Sequence, residues 1–152
     1  MTPEFHLVLQ FPVACSQPVA ISLVAATGGT SCRVPVPANV ICPPSLHSLA
    51  PAAAGIYDFA LDLPSLCPLD GDAFLCVNFV SDGAGCATLD TRPRLMTTAQ
   101  CTNCQNYNIY PTGNDDLCAV NFPGALVMYV DAVTCAVPVL ARSWGTVKLR
   151  YR

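Results

Sequence analysis

The chain has 152 residues, one domain's length; 53% are hydrophobic, and only seven are basic and ten acidic, where about 38 charged side chains would be usual. So apolar a chain with a net charge of −3 is not a disordered one, and seven cations cannot neutralise enough phosphates for nucleic-acid binding through a basic field. Helix surfaces are usually built from Glu and Lys, and Glu4 and Lys148 are the only examples, so long helices are not expected either.

Period-two patterns dominate in chain order. In residues 5–13 the odd positions are all apolar while His6, Gln10 and Pro12 take the other face, the alternation of a half-buried strand. Residues 19–25 follow with Val19, Ile21 and Leu23 on one face, and Gly28-Gly29 marks a turn. Residues 33–37 read as extended, but Pro35 and Pro37 place them on an edge or outside any pairing. One short helical turn is expected within residues 45–54. Residues 56–63 form the cleanest strand: Tyr57, Phe59, Leu61 and Leu63 share a face, and Asp58 and Asp62 point the other way.

Residues 73–80 are apolar on both faces, as expected of a strand in the middle of a two-layer structure, and residues 125–133 look the same after the Pro123-Gly124 turn. Residues 97–121 are rich in Asn, Gln, Thr and Tyr, hold three cysteines and show little periodicity; they are expected to be a long surface loop pinned by disulfides. A short strand is expected over 137–140. In the last stretch, 146–152, Val147, Leu149 and Tyr151 alternate with Lys148, Arg150 and Arg152, as on an exposed sheet face or a guarded edge. About eight strands, with no repeat and no linker, imply an all-β fold: a single antiparallel β-sandwich, jelly-roll-like, spanning 1–152.

No stretch reads as a membrane-spanning helix. The longest uncharged run, 5–32, is broken by Gln10, Pro12, Pro18, Gly28 and Gly29, and the run 34–57 holds five prolines. The first residues offer no cationic start for a signal peptide. That leaves a cytosolic protein, or a mature domain without its leader, one module of a longer secreted protein.

The cysteines favour the second. They stand at Cys15, Cys32, Cys42, Cys67, Cys76, Cys86, Cys101, Cys104, Cys118 and Cys135. A zinc ribbon needs two C-x2-C knuckles, and only Cys101-Thr-Asn-Cys104 is present. Loop-forming residues follow it where a thioredoxin-like motif would open a helix. Five disulfides and an extracellular location are therefore expected. Spacing alone does not determine the pairing, but Cys76 and Cys86 flank the turn Ser81-Asp82-Gly83 and are expected to face each other across a hairpin.

Candidate binding residues follow from residue chemistry. Tyr107 and Tyr110 would offer flat faces, and Asn106 and Asn108 planar amides, a mixture that suits sugar rings and hydroxyls. Asp70, Asp72, Asp115 and Asp116 place hard oxygens in turns and would be the first ligands of a calcium ion, although no EF-hand pattern occurs and turn chemistry alone accounts for them. No other cofactor is implied.

Catalysis has little to draw on. His6 and His47 are the only histidines, and no nucleophile elbow, zinc-protease helix, P-loop or dinucleotide fingerprint occurs. Asp58 and Asp62 would stand about 13 Å apart along one strand, too far for either glycosidase geometry. The expectation is a non-catalytic extracellular structural or adhesive module that associates with copies of itself or neighbouring domains through apolar surface. A glycan-binding module using the 97–121 loop, with calcium as an aid, is the alternative, and a small secreted hydrolase comes third.

Overall fold

A computed structural model describes residues 4–29, 31–63 and 72–131. Among them are nine strands and no helix: β1 (Glu4–Phe11), β2 (Gln17–Thr27), β3 (Val34–Leu49), β4 (Gly55–Asp62), β5 (Ala73–Phe79), β6 (Arg94–Leu95), β7 (Tyr107–Tyr110), β8 (Gly113–Asp116) and β9 (Met128–Asp131). All pairings between them are antiparallel. The expected strands at 137–140 and 146–152, and the end of the one at 125–133, lie outside the described residues.

β1 organises the first sheet. Its alternation places Phe5, Leu7, Leu9 and Phe11 on one face, all at most 1% exposed, and Glu4, His6, Val8 and Gln10 on the other. Each such buried side chain contributes roughly 1.5–3 kcal/mol of apolar transfer. β4 pairs along the whole of β1, from Glu4 opposite Asp62 to Phe11 opposite Gly55. The other edge of β1 is shared end to end, with β9 against residues 4–7 and β6 against Leu9 and Gln10. The expected face of β4 is the one that packs inward: Tyr57, Phe59, Leu61 and Leu63 join the core, and Asp58 and Asp62 are exposed.

The second sheet has the order β3-β2-β5. β2 is the central strand and is buried on both sides, with Val19, Ile21 and Leu23 towards the core and Ala20 and Val24 at 8% and 3% exposure on the reverse. The sequence expectation assigned that middle position to residues 73–80, and this is corrected: β5 lies on an edge among the described residues. Only its Leu75 and Val77 pack against the core.

β3 lies on an edge among the described residues, where its prolines fit. Its register against β2 slips at three places, between Val36 and Val40, between Val40 and Cys42 and between Cys42 and Ser45; Pro37 lies in the first interval and the Pro43-Pro44 pair in the third. Proline donates no ladder hydrogen bond, so bulges on an edge are where it fits. The helical turn expected within 45–54 is absent. Ser45 to Leu49 pair instead with Ile21 to Gln17, because a strand already laid beside them offers a full ladder.

One cluster of buried side chains draws on both sheets: Phe5, Leu7, Leu9 and Phe11 from β1, and Val19, Ile21 and Leu23 from β2, with Cys42, Leu49 and Leu61 among the rest. No strand of one sheet pairs with a strand of the other among the described residues.

Three disulfides tie distant segments together: Cys15–Cys86 and Cys32–Cys104, with sequence separations of 71 and 72, and Cys101–Cys118, with 17. Cys42 is disulfide-bonded as well, and Cys67 and Cys135 lie outside the described residues. The expected Cys76–Cys86 pair does not form, and Cys76 carries a free thiol. Residues 81–84 do not turn β5 back on itself; they run across the start of β2, where Ser16 bridges Ala84 and the buried Gln17 amide donates to the Ser81 carbonyl at 2.8 Å. A Cβ on Gly83 would overlap the Ser16 carbonyl oxygen, so only glycine permits this approach. Cys86 is thereby brought to Cys15. With Cys76 unpaired, nine cysteines remain, enough for four intrachain bridges rather than five.

Candidate functional site

Residues 97–121 are less irregular than their composition suggests. β7 and β8 form a hairpin with Tyr107 opposite Asp116 and Tyr110 opposite Gly113, connected by Pro111-Thr112. The sequence hid it because each strand has four residues and β8 reads Gly-Asn-Asp-Asp, a composition poor in β-formers. The disulfide expectation holds here, since Cys101–Cys118 closes the base of the hairpin and Cys32–Cys104 fastens it to the start of β3.

The hairpin separates the predicted sugar-binding residues. Tyr107 is half-buried, donates its hydroxyl to the Arg33 carbonyl at 2.8 Å, and meets the Phe74 ring edge-on at 5.4 Å. Burial and the nearby Asp116 charge push its phenol above the usual tyrosine range. Asn106 accepts from the Leu126 N–H at 3.3 Å. Asn108 and Tyr110 stand on the exposed face, where Tyr110 donates to Asp115 at 3.0 Å and its ring covers Gly113. That hydrogen bond, with some burial and the Asp115 charge, raises the Tyr110 phenol as well. Tyr107 and Tyr110 thus do not form one platform.

The predicted calcium ligands are dispersed in a similar way. Asp70 lies outside the described residues. Asp72 pairs with Arg33 at 2.7 Å, and Asp115 serves Tyr110. Asp116 accepts from the backbone N–H of Cys104 at 2.6 Å and of Cys118 at 3.0 Å. Cys104 has φ of 68°, a left-handed conformation costly for a residue with a Cβ, and the Asp116 carboxylate helps to hold it. Among the described residues no three His, Cys, Asp or Glu side chains are placed to share a metal ion.

Two features escaped the sequence reading. The first is a trio on the outer face of the first sheet, where His6 Nδ1 and Asp58 Oδ1 lie 3.0 Å apart and the Tyr129 hydroxyl donates to Asp58 Oδ2 at 2.5 Å. The His6 and Tyr129 rings stack with centroids 4.4 Å apart and planes within 5°. Partial burial raises the Asp58 carboxyl, but the hydrogen bonds from Tyr129 and His6 and the attraction of His6 outweigh it, so the group sits below its ordinary value. His6 and Tyr129 face each other in the β1–β9 register, and no periodicity reveals which strands will be neighbours.

The second is an open groove of about 630 Å³ bordered by the start of β5, residues 98–106 and residues 125–129. The stretch 96–100 runs beside 125–127, with Thr98 N donating to the Ala125 carbonyl at 2.8 Å and Val127 N to the Met96 carbonyl at 2.9 Å. Gly124 makes this possible, as a Cβ there would overlap the Thr98 carbonyl. Asn106 alone among the predicted sugar-binding residues lines the groove.

The described residues define a disulfide-linked, antiparallel all-β protein with a hairpin stapled beside an uncharged groove. The chain belongs to the DUF7451 family, a domain of unknown function, whose model matches residues 5–132. Neither the curated proteins nor the solved structures contain a significant match to it. No helix among the described residues is long and apolar enough to cross a membrane.

Proposed function

We propose that this chain is a non-catalytic extracellular β-sandwich module that associates, through apolar surface, with copies of itself or with neighbouring domains in a structural or adhesive role. The observation that carries the reading is the exposure of large apolar side chains: Leu89 is 82% exposed, Leu46 on β3 73% and Ile56 on β4 59%, with Val80 and Val120 also in solvent. Isolated exposed side chains are ordinary. On a chain with only 11% charged residues, few charges stand between them to keep the surface wetted.

The two sheets are taken as the layers of one sandwich, because their inward side chains belong to one buried cluster. A double-mutant cycle between Leu7→Ala and Ile21→Val would show coupling above about 0.5 kcal/mol if the layers touch there. Long-range disulfides support an oxidising, extracellular setting. A binding rather than catalytic role fits the engagement of four of the described acids within the fold: Asp72 and Asp82 pair with arginines, Asp116 with backbone and Asp58 with His6 and Tyr129.

Sedimentation velocity on the oxidised chain, over a wide range of concentration, tests the association. The expected result is reversible self-association that weakens in Leu46→Asp or Ile56→Lys. A single monomeric species at the highest concentration, with no affinity for adjoining domains, would overturn it.

A further inference from the structure

We propose that the groove bordered by β5, residues 98–106 and residues 125–129 is a binding site for an uncharged oligosaccharide. None of the fourteen described residues lining it is charged. A phosphate or carboxylate entering such a groove would lose hydration with no ionic partner among the described lining residues to offset the loss, so this lining favours a neutral ligand. Its volume of about 630 Å³ lies within the range of small-molecule sites, about 300–1,000 Å³.

The polar groups of the groove are amides and hydroxyls. Gln100, Gln105 and Asn106 each present donors and an acceptor side by side, the pattern that matches sugar hydroxyls, which both donate and accept. The Asn106 oxygen is held by the Leu126 N–H at 3.3 Å, which sets the plane of the amide and leaves its two N–H donors for a ligand. The side-chain amides of Gln100 and Gln105 make no hydrogen bond among the described residues. Thr98 is engaged within the fold instead, where its hydroxyl donates to the Gln100 carbonyl at 2.8 Å and accepts from Ala125 N at 3.2 Å, tying two borders of the groove together.

Two aromatic residues, Phe74 and Tyr129, are among those bordering the groove, and both rings are held in place. Phe74 is braced edge-on by Tyr107, itself hydrogen-bonded to the Arg33 carbonyl. Tyr129 is stacked on His6 and bonded to Asp58. Rings fixed before binding lose little freedom when a ligand arrives, and the apolar faces of sugars pack against aromatic surface. This gives the His6–Asp58–Tyr129 trio a positioning role: it orients one wall of the groove. The site and the self-association surface are separate, since none of Leu46, Ile56, Val80, Leu89 and Val120 lines the groove.

A glycan array carrying neutral, sialylated and sulfated oligosaccharides, followed by calorimetry with the best neutral hit, tests the proposal. Gln105→Glu keeps the size of the side chain and brings a charge into the groove; Gln100→Ala/Gln105→Ala removes two amides. Both alter side chains that support no other residue, and unchanged melting temperatures would verify the fold. The expected result is neutral-glycan binding that weakens at least about tenfold in each variant, the loss of one or two hydrogen bonds, and that persists in Tyr110→Ala. Silence towards neutral glycans, a preference for anionic ones, capture of extended peptides instead, or binding indifferent to both glutamine variants would each overturn it.

Discussion

Replacing Cys15 and Cys86 together by alanine should be among the most destabilising changes this chain can undergo, since the bridge lies within the apolar core. The bridge spans 71 residues, and closing a loop of that length in the unfolded chain corresponds to about 4.4 kcal/mol. Cys32–Cys104 already shortens the free path between the two sulfurs to about 36 residues, which reduces the figure to about 3.8 kcal/mol. Cys101–Cys118 spans only 17 residues, for about 3.1 kcal/mol. Both Cys15 and Cys86 are buried in the core cluster, so the space left by the two deleted sulfur atoms adds to the entropic loss. A domain of this size loses roughly 2–4 °C per kcal/mol, so calorimetry of the double variant should show a melting temperature lower by about 8–15 °C. The Cys101→Ala/Cys118→Ala variant should fall less. A drop below about 3 °C, or the reverse ranking of the two variants, would refute the loop-closure reasoning.

Further outcomes follow from single residues. Burial pushes the Cys76 thiol up to about 11, so alkylation of the native, unreduced chain should be slow at pH 8 and accelerate about tenfold per pH unit towards pH 11. Because this folded value lies above that of an exposed thiol, the group's contribution to stability is intact below about pH 8.5 and declines between there and pH 11; Cys76→Ala should remove that decline in alkaline denaturation curves. Asp116→Ala deprives two backbone N–H groups of their acceptor and should cost about 1–3 kcal/mol in urea denaturation, whereas Asp115→Ala should cost far less. Gly124→Ala would drive a Cβ into the Thr98 carbonyl; it should lower stability by about 1–3 kcal/mol or more and disturb the groove. Asp58 is held below its ordinary value, so it stabilises the fold above about pH 4. That contribution should fade as the pH falls through its folded value, and Asp58→Asn should flatten this part of the acid-denaturation profile.

How much of this was legible in the sequence varied with the range of the interaction. The faces of β1 and β4 were readable because a strand exposes its pattern two residues at a time: Phe5, Leu7, Leu9 and Phe11 go inward whatever their neighbours are. Residues 33–37 were readable as an edge or unpaired stretch from their prolines, but the rest of β3 was not, since a helical turn was expected within residues 45–54. The central strand was not. Residues 73–80 are as apolar as residues 19–25, and only the order of the described strands makes β2 the middle one and puts β5 on an edge among them. The β7–β8 hairpin was hidden because its strands are short and polar, and they are held by two disulfides rather than by a hydrophobic face.

Composition and periodicity suffice for the class of object: all-β, antiparallel, rich in cysteine and short of charge. These properties depend on residue counts and on a period of two, which are local quantities. Which cysteines meet is a matter of tertiary structure, since Cys86 reaches Cys15 only because Gly83 lets the chain cross the start of β2. So are the bracing of Phe74 by Tyr107, the service of Asp116 to the backbone, and the meeting of His6, Asp58 and Tyr129 across three strands. Each of these depends on segments that become neighbours only when the chain folds, and no local pattern carries that information. The groove is of the same kind, because its borders come from three segments that are separate in sequence.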